Sequence, residues 1–135
     1  MIGAMLIITA AAIVAYMLGP GPHALFTKNF EVYPLQQSYA TEEWNDFSIT
    51  YGDANYSAAL LELRAIEADE EVPDYVFHFY SGMLNLAQKD VQSRVAIDHF
   101  NEVMKTPNYF QDKAQWYKAL AQLEAGDIEA ARAAF

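Results

Sequence analysis

An evenly spaced alanine repeat is the feature that most limits how this chain can fold. Ala59, Ala96 and Ala131 recur at intervals of 37 and 35 residues. A larger apolar residue follows each of them four positions later, so both side chains would lie on one face of a helix. These larger residues are Leu63, Phe100 and Phe135. A period of this length is typical of stacked helical hairpins, and the sequence therefore predicts an all-α chain.

The last repeat unit carries the most complete pattern. Ala119 lies where the two helices of the unit would touch, and Gly126-Asp127 lies where the chain would turn between them. Ala131 and Phe135 lie in the second helix, on the face that would pack on the first. In these positions the unit resembles a tetratricopeptide repeat, a helix–turn–helix of about 34 residues. The small residues would let the two helices approach closely, and the aromatic ring would fill the space toward the next hairpin.

The two earlier units follow the same pattern less closely. Gly82 takes the small-residue position in the first helix of the middle unit, and residues 52–56 form the turn of the first unit. The resemblance covers residues 41–135 and implies two and a half hairpins in a short α-solenoid. Because the chain ends midway through the second helix of the last hairpin, we expect a repeat domain that is truncated at its C-terminus.

The first eighteen residues form an apolar run without a charged side chain. As a helix, residues 1–18 would extend about 27 Å, close to the hydrocarbon thickness of a bilayer. A signal peptide would need a basic start and a small-residue cleavage site after the apolar core. A buried core helix is the other alternative, but helical-hairpin repeats need no uniformly apolar cap. A transmembrane helix fits the run best, followed by Gly19-Pro20-Gly21-Pro22 as its stop and a linker over residues 19–40.

A second resemblance concerns the linker. Residues 25–34, LFTKNFEVYP, resemble the stretch after the membrane helix in small single-pass bacterial tetratricopeptide proteins. That resemblance implies a location in the inner (cytoplasmic) membrane, with the repeat domain in the periplasm. From the residues alone, Phe26, Phe30 and Tyr33 stand at i, i+4 and i+7, which predicts a helical face packed on the first hairpin and ended by Pro34. Charge does not decide the orientation, because only Lys28 flanks the apolar run.

Charge and composition exclude several classes of function. The 18 acidic and 8 basic side chains all lie beyond residue 27. The stretch from Glu31 to Asp74 contains eleven acidic residues and a single basic one, Arg64. Such a surface repels nucleic acid, so no nucleic-acid partner is expected. The chain contains no cysteine, which excludes disulfides, thiol nucleophiles and cysteine-bound metal.

No set of catalytic residues converges in the sequence. His23, His78 and His99 do not form the HxxxH or HExxH spacing that brings two imidazoles to one zinc ion. We expect His78 and His99 to be packed or surface residues. We also expect no metal, no cofactor, no small-molecule substrate and no enzymatic activity.

A peptide-binding surface is the functional site that the repeat pattern predicts. By the family register, the first helices of the hairpins line a concave groove, and such grooves bind extended or helical peptides. The candidate binding residues are Phe79, Met83, Lys113, Trp116 and Leu120. Trp116 would be an aromatic anchor and Lys113 a cationic clamp one turn earlier. The competing interpretation is that the apolar members simply pack helix on helix.

Together these features predict a non-enzymatic docking or scaffold module, tethered to the membrane of the bacterial envelope, that binds a protein or peptide. Tethering would raise its effective concentration toward membrane partners. The alternative is the extracytoplasmic part of a membrane regulatory or signalling protein, of the anti-sigma or sensor type.

Overall fold

The computed structural model describes residues 21–134, and every regular element within that range is a helix. The all-α prediction is therefore confirmed. In chain order the helices are α1 (Pro22–Asn29), α2 (Glu42–Gly52), α3 (Tyr56–Ile66), α4 (Asp74–Leu86), α5 (Ser93–Val103), α6 (Gln111–Glu124) and α7 (Ile128–Ala134).

Local residues explain where several of these helices begin. The Thr41 hydroxyl accepts a hydrogen bond from the Trp44 amide at 3.3 Å, which caps α2. The Asn55 side chain accepts from the Ala58 amide at the start of α3. At the last turn, Gly126 has a φ of +84°, a conformation that glycine adopts without a Cβ clash. The predicted turn at Gly126-Asp127 is thus confirmed.

Consecutive helices pack on one another from α2 through to α7. The repeat alanines Ala59, Ala96 and Ala131 are fully buried, as close helix contacts require. Gly82 in α4 faces the ring of Phe100 in α5 so closely that a Cβ atom built there would lie 2.7 Å from two ring carbons. A small residue at each of these places lets the helix backbones approach.

The N-terminal part of the described chain corrects one expectation. The predicted helical face of Phe26, Phe30 and Tyr33 does not form, because α1 ends at Asn29 and Phe30 is already extended. α1 also packs on α6, in the last part of the chain, rather than on the first hairpin. Leu25 joins a small apolar cluster there, with Leu123 and Ala131.

The predicted membrane helix cannot be compared with the structure. Residues 1–18 lie outside the described range. Phe135, where the repeat domain is expected to be truncated, also lies outside it. Within residues 21–134, none of the helices combines the length and the apolar content needed to cross a bilayer.

Candidate functional site

Residues 31–40 follow α1 without regular secondary structure, and we call them the strap. Their burial alternates, which is the pattern of an extended chain with one face against the protein. From Tyr33 to Ala40, the odd-numbered residues are buried or half-buried and the even-numbered ones are less covered. The inward side chains are those of Tyr33, Leu35, Gln37 and Tyr39. The strap is therefore an extended peptide lying on a helical surface.

Three buried tyrosines, one from each of α2, α4 and α6, bind the strap through their hydroxyl groups. We call them the tyrosine set, and its members are Tyr51, Tyr80 and Tyr117. The strap therefore bridges α2, α4 and α6. Two of the predicted peptide-binding residues, Phe79 and Lys113, contact the Tyr33 ring of the strap.

Two of these hydrogen bonds go to the main chain of the strap. The Tyr117 hydroxyl donates to the carbonyl oxygen of Glu31 at 2.8 Å. The Tyr51 hydroxyl donates to the carbonyl oxygen of Tyr33. Because a main-chain carbonyl is present at every residue, these contacts recognise an extended backbone and not a particular side chain. The Tyr80 hydroxyl donates to the side-chain oxygen of Gln37 and lies farther, at 3.5 Å, from the carbonyl oxygen of Pro34.

The phenol groups of the tyrosine set stay neutral donors over the physiological pH range. Burial raises the pKa of Tyr51, Tyr80 and Tyr117 well above the ordinary tyrosine value, because the low-dielectric interior disfavours the phenolate. The negative charge of Glu31 adds to the effect at Tyr117. All three hydroxyls therefore keep the proton with which they donate.

Tyr33 supplies the main side-chain contact of the strap. Its ring meets Phe79 edge-on with centroids 5.4 Å apart, and Phe110 edge-on at 5.9 Å. The Lys113 ammonium lies 6.0 Å from the centroid of the same ring and 4.1 Å from that of Tyr109. These geometries are favourable for aromatic pairs and for a cation beside an aromatic ring. Tyr33 is only 9% exposed, and its ring fills an aromatic pocket.

The predicted binding residues fall into two groups. Phe79, Met83 and Leu120 are fully buried in the main hydrophobic core. Lys113 and Trp116 are half-buried on α6, and Trp116 packs against the same core. With the strap in place, a partner could not reach the Phe79 ring where Tyr33 covers it. Binding of a separate peptide by these five residues stays a prediction.

Sequence reasoning missed the tyrosine set and the strap. The helical spacing of Phe26, Phe30 and Tyr33 predicted a helix that includes Tyr33. Pro34 argues against this, because a proline disfavours helical backbone in the residue before it. The signal that could have revealed the strap is the spacing of Tyr33, Leu35 and Tyr39, which are separated by even numbers of residues, as side chains on one face of an extended chain are. Nothing in the local sequence indicates which helices would receive those side chains.

His78 and His99 form a pair that sequence spacing did not predict. Their Nδ1 atoms are 2.9 Å apart, and the ring centroids are separated by 5.2 Å. For a hydrogen bond between them, one Nδ1 must carry the proton and the other must accept it. Burial, and then the neighbouring His78, lower the pKa of His99. The pair links α4 to α5, and within residues 21–134 no group of three or more potential metal-ligating side chains surrounds it.

Comparison with known proteins adds no relative. No family model, curated protein or solved structure matches this chain. The resemblance to tetratricopeptide repeats therefore rests on the sequence pattern alone.

Proposed function

We propose that this chain is a non-enzymatic docking module of the bacterial envelope, tethered to the inner membrane through residues 1–18. Its repeat domain would be a short tetratricopeptide-like solenoid in the periplasm, made of the pairs α2–α3, α4–α5 and α6–α7. The even alanine spacing and the burial of all three alanines support this arrangement. Its partner would be a protein or peptide, since no catalytic or cofactor-binding motif stands out in the sequence.

The observation that carries the proposal is the way the helices hold the strap. Three buried hydroxyl groups reach from three successive helix pairs toward one extended segment, and two of them bind main-chain carbonyls. A helical surface that binds an extended backbone in its own chain has the chemistry needed to bind one from another protein. Lys113 lies beside the Tyr33 ring of the strap, and the half-buried Trp116 follows three residues later on α6, so both could widen the contact.

A regulatory role is the second candidate, favoured by the contacts of α1. α1 lies close after the predicted membrane helix and packs on α6, where His23 meets Glu124 with an Nδ1 to Oε1 distance of 2.8 Å. A partner bound to the helix surface could therefore disturb the juxtamembrane segment. A sigma-binding or DNA-binding segment upstream in the intact reading frame would favour this candidate over simple docking.

Site-specific photo-cross-linking in living cells tests the docking proposal. A photoreactive phenylalanine analogue replaces Trp116 in one strain and Glu129, on α7, in a matched control strain. We expect a discrete cross-linked species from position 116 that is absent from position 129. Trp116→Ala should weaken binding of the identified partner by about 2 kcal/mol, the size of an aromatic hot spot.

The outcome that would refute docking at this surface is equally specific. Equal cross-linking from both positions would indicate random collision, and no species from either position would indicate that no partner binds there. The melting temperature of Trp116→Ala must be measured alongside, because Trp116 packs against the core and its loss could lower binding through unfolding.

A further inference from the structure

The strap is positioned like a ligand in a binding site. Its odd-numbered side chains from Tyr33 to Tyr39 turn inward and its even-numbered ones are less covered, so one face contacts the helices. Peptides that bind in extended form are recognised in the same manner, with main-chain hydrogen bonds for affinity and pockets for alternate side chains. Here the tyrosine set supplies the hydrogen bonds and the aromatic pocket accepts Tyr33.

The inward side chains of the strap define which peptide could bind to the same surface in its place. Tyr33 occupies a pocket lined by Phe79 and Phe110, which favours an aromatic residue. Leu35 packs against the main core two positions later. Tyr39 meets Trp44 edge-on with centroids 4.8 Å apart. A peptide with aromatic, apolar and aromatic side chains at positions 1, 3 and 7 would reproduce these contacts.

We propose that the strap is a displaceable occupant of this surface and competes with an extended partner peptide that has aromatic and apolar side chains at alternate positions. This inference rests on the proposed docking function and specifies the partner and its regulation. Because the strap belongs to the same chain, its effective concentration at the surface is on the order of millimolar. A free peptide with the same contacts therefore binds the intact protein weakly, and binds well once the strap is loosened.

Peptide binding to the purified full chain in detergent tests this competition. The probe is a fluorescent peptide with the sequence of residues 29–40, and the readout is fluorescence anisotropy. Tyr33→Ala empties the aromatic pocket and loosens the strap. Ser38→Ala is the matched control, because Ser38 lies on the same strap and is exposed. A second probe carries alanine in place of the tyrosine that corresponds to Tyr33.

We expect the Tyr33→Ala protein to bind the first probe at least tenfold more tightly than the wild type and the Ser38→Ala protein do. The alanine probe should bind at least tenfold more weakly than the first probe to Tyr33→Ala. Equal affinities of all three proteins, or no binding to a Tyr33→Ala protein that keeps its helical circular dichroism, would overturn the proposal. If Tyr33→Ala does not fold, Tyr33→Leu takes its place, and the same outcomes decide.

Failure of this inference can be told apart from failure of the docking function. A partner that cross-links to position 116 while no probe binds Tyr33→Ala would leave docking intact and show that the strap is a permanent part of the fold. Probe binding to Tyr33→Ala without any cross-linked partner in cells would leave the competition intact and count against docking.

Discussion

Replacement of Gly82 by alanine gives a sharp test of the helix packing, because a single ring fills the space beside it. A methyl group at position 82 would lie 2.7 Å from both Cε1 and Cζ of Phe100, and 3.0 Å from Cδ1. Carbon atoms in favourable contact are about 3.5–4.0 Å apart, so the ring would have to retreat by roughly 1 Å.

Phe100 has little freedom to retreat. It is fully buried, and its ring centroid lies 6.1 Å from that of Phe79 and 6.2 Å from that of Tyr117. Overpacking of an enclosed site costs about 1–3 kcal/mol. We place Gly82→Ala at the upper end, because its methyl group meets two ring carbons at 2.7 Å. The better helix propensity of alanine returns about 1 kcal/mol. The expected net loss in the free energy of unfolding is about 2 kcal/mol.

Urea unfolding followed by far-UV circular dichroism measures this loss. Gly52→Ala is the matched control, because Gly52 ends α2 and a Cβ atom there would meet nothing within 4 Å. The control should be neutral or more stable by up to about 1 kcal/mol. Gly82→Ala should lower the free energy of unfolding less in a Phe100→Leu protein than in the wild type, because the smaller side chain leaves room for the methyl group. A Gly82→Ala protein as stable as the wild type would refute the close contact between α4 and α5.

Three further perturbations follow from the structure. Ala96→Leu should lower the free energy of unfolding by about 1–3 kcal/mol through overpacking, and an unchanged melting temperature would exclude Ala96 from a tight contact. The pKa of His99 is lower in the folded protein than its value of about 6.5 in the unfolded chain, so the unfolded chain binds the proton more readily. The free energy of unfolding should therefore fall as the pH is lowered from about 6.5 through the folded pKa. His99→Gln should flatten that dependence in urea titrations at several pH values, and an unchanged slope would contradict it. The raised pKa values of the tyrosine set predict stability that holds up to about pH 10 and is lost above it, since unfolded tyrosines ionise first. Tyr51→Phe should weaken this alkaline transition, measured by tyrosine absorbance together with circular dichroism.

The helical part of the fold could be predicted from the sequence because its signals are local. Small residues at Ala59 and Ala96 mark helix contacts, and Gly126 marks a turn that needs a positive φ. Each of these signals can be recognised from a short stretch of sequence, as an alanine with a larger apolar residue four positions later or as a glycine between two helical stretches. Their positions therefore indicate helices and turns without knowledge of the distant parts of the structure.

The strap could not be predicted with the same means. Phe26, Phe30 and Tyr33 match a helical period by spacing alone, whereas Tyr33 is held by rings and a hydroxyl from α2, α4 and the turn before α6. Those partners are distant in sequence, and no local pattern names them. The candidate residues Phe79 and Lys113 contact the strap, but the strap itself was not predicted.

The contacts of the N-terminal segment have a consequence for the order of folding. Repeat arrays usually fold by nearest-neighbour steps, which can start anywhere and spread. In this chain the Tyr117–Glu31 and His23–Glu124 bonds join residues 86 and 101 positions apart. During synthesis the N-terminal segment emerges first, but it can form these contacts only after α6 has been synthesised. Long-range closure of this kind slows folding.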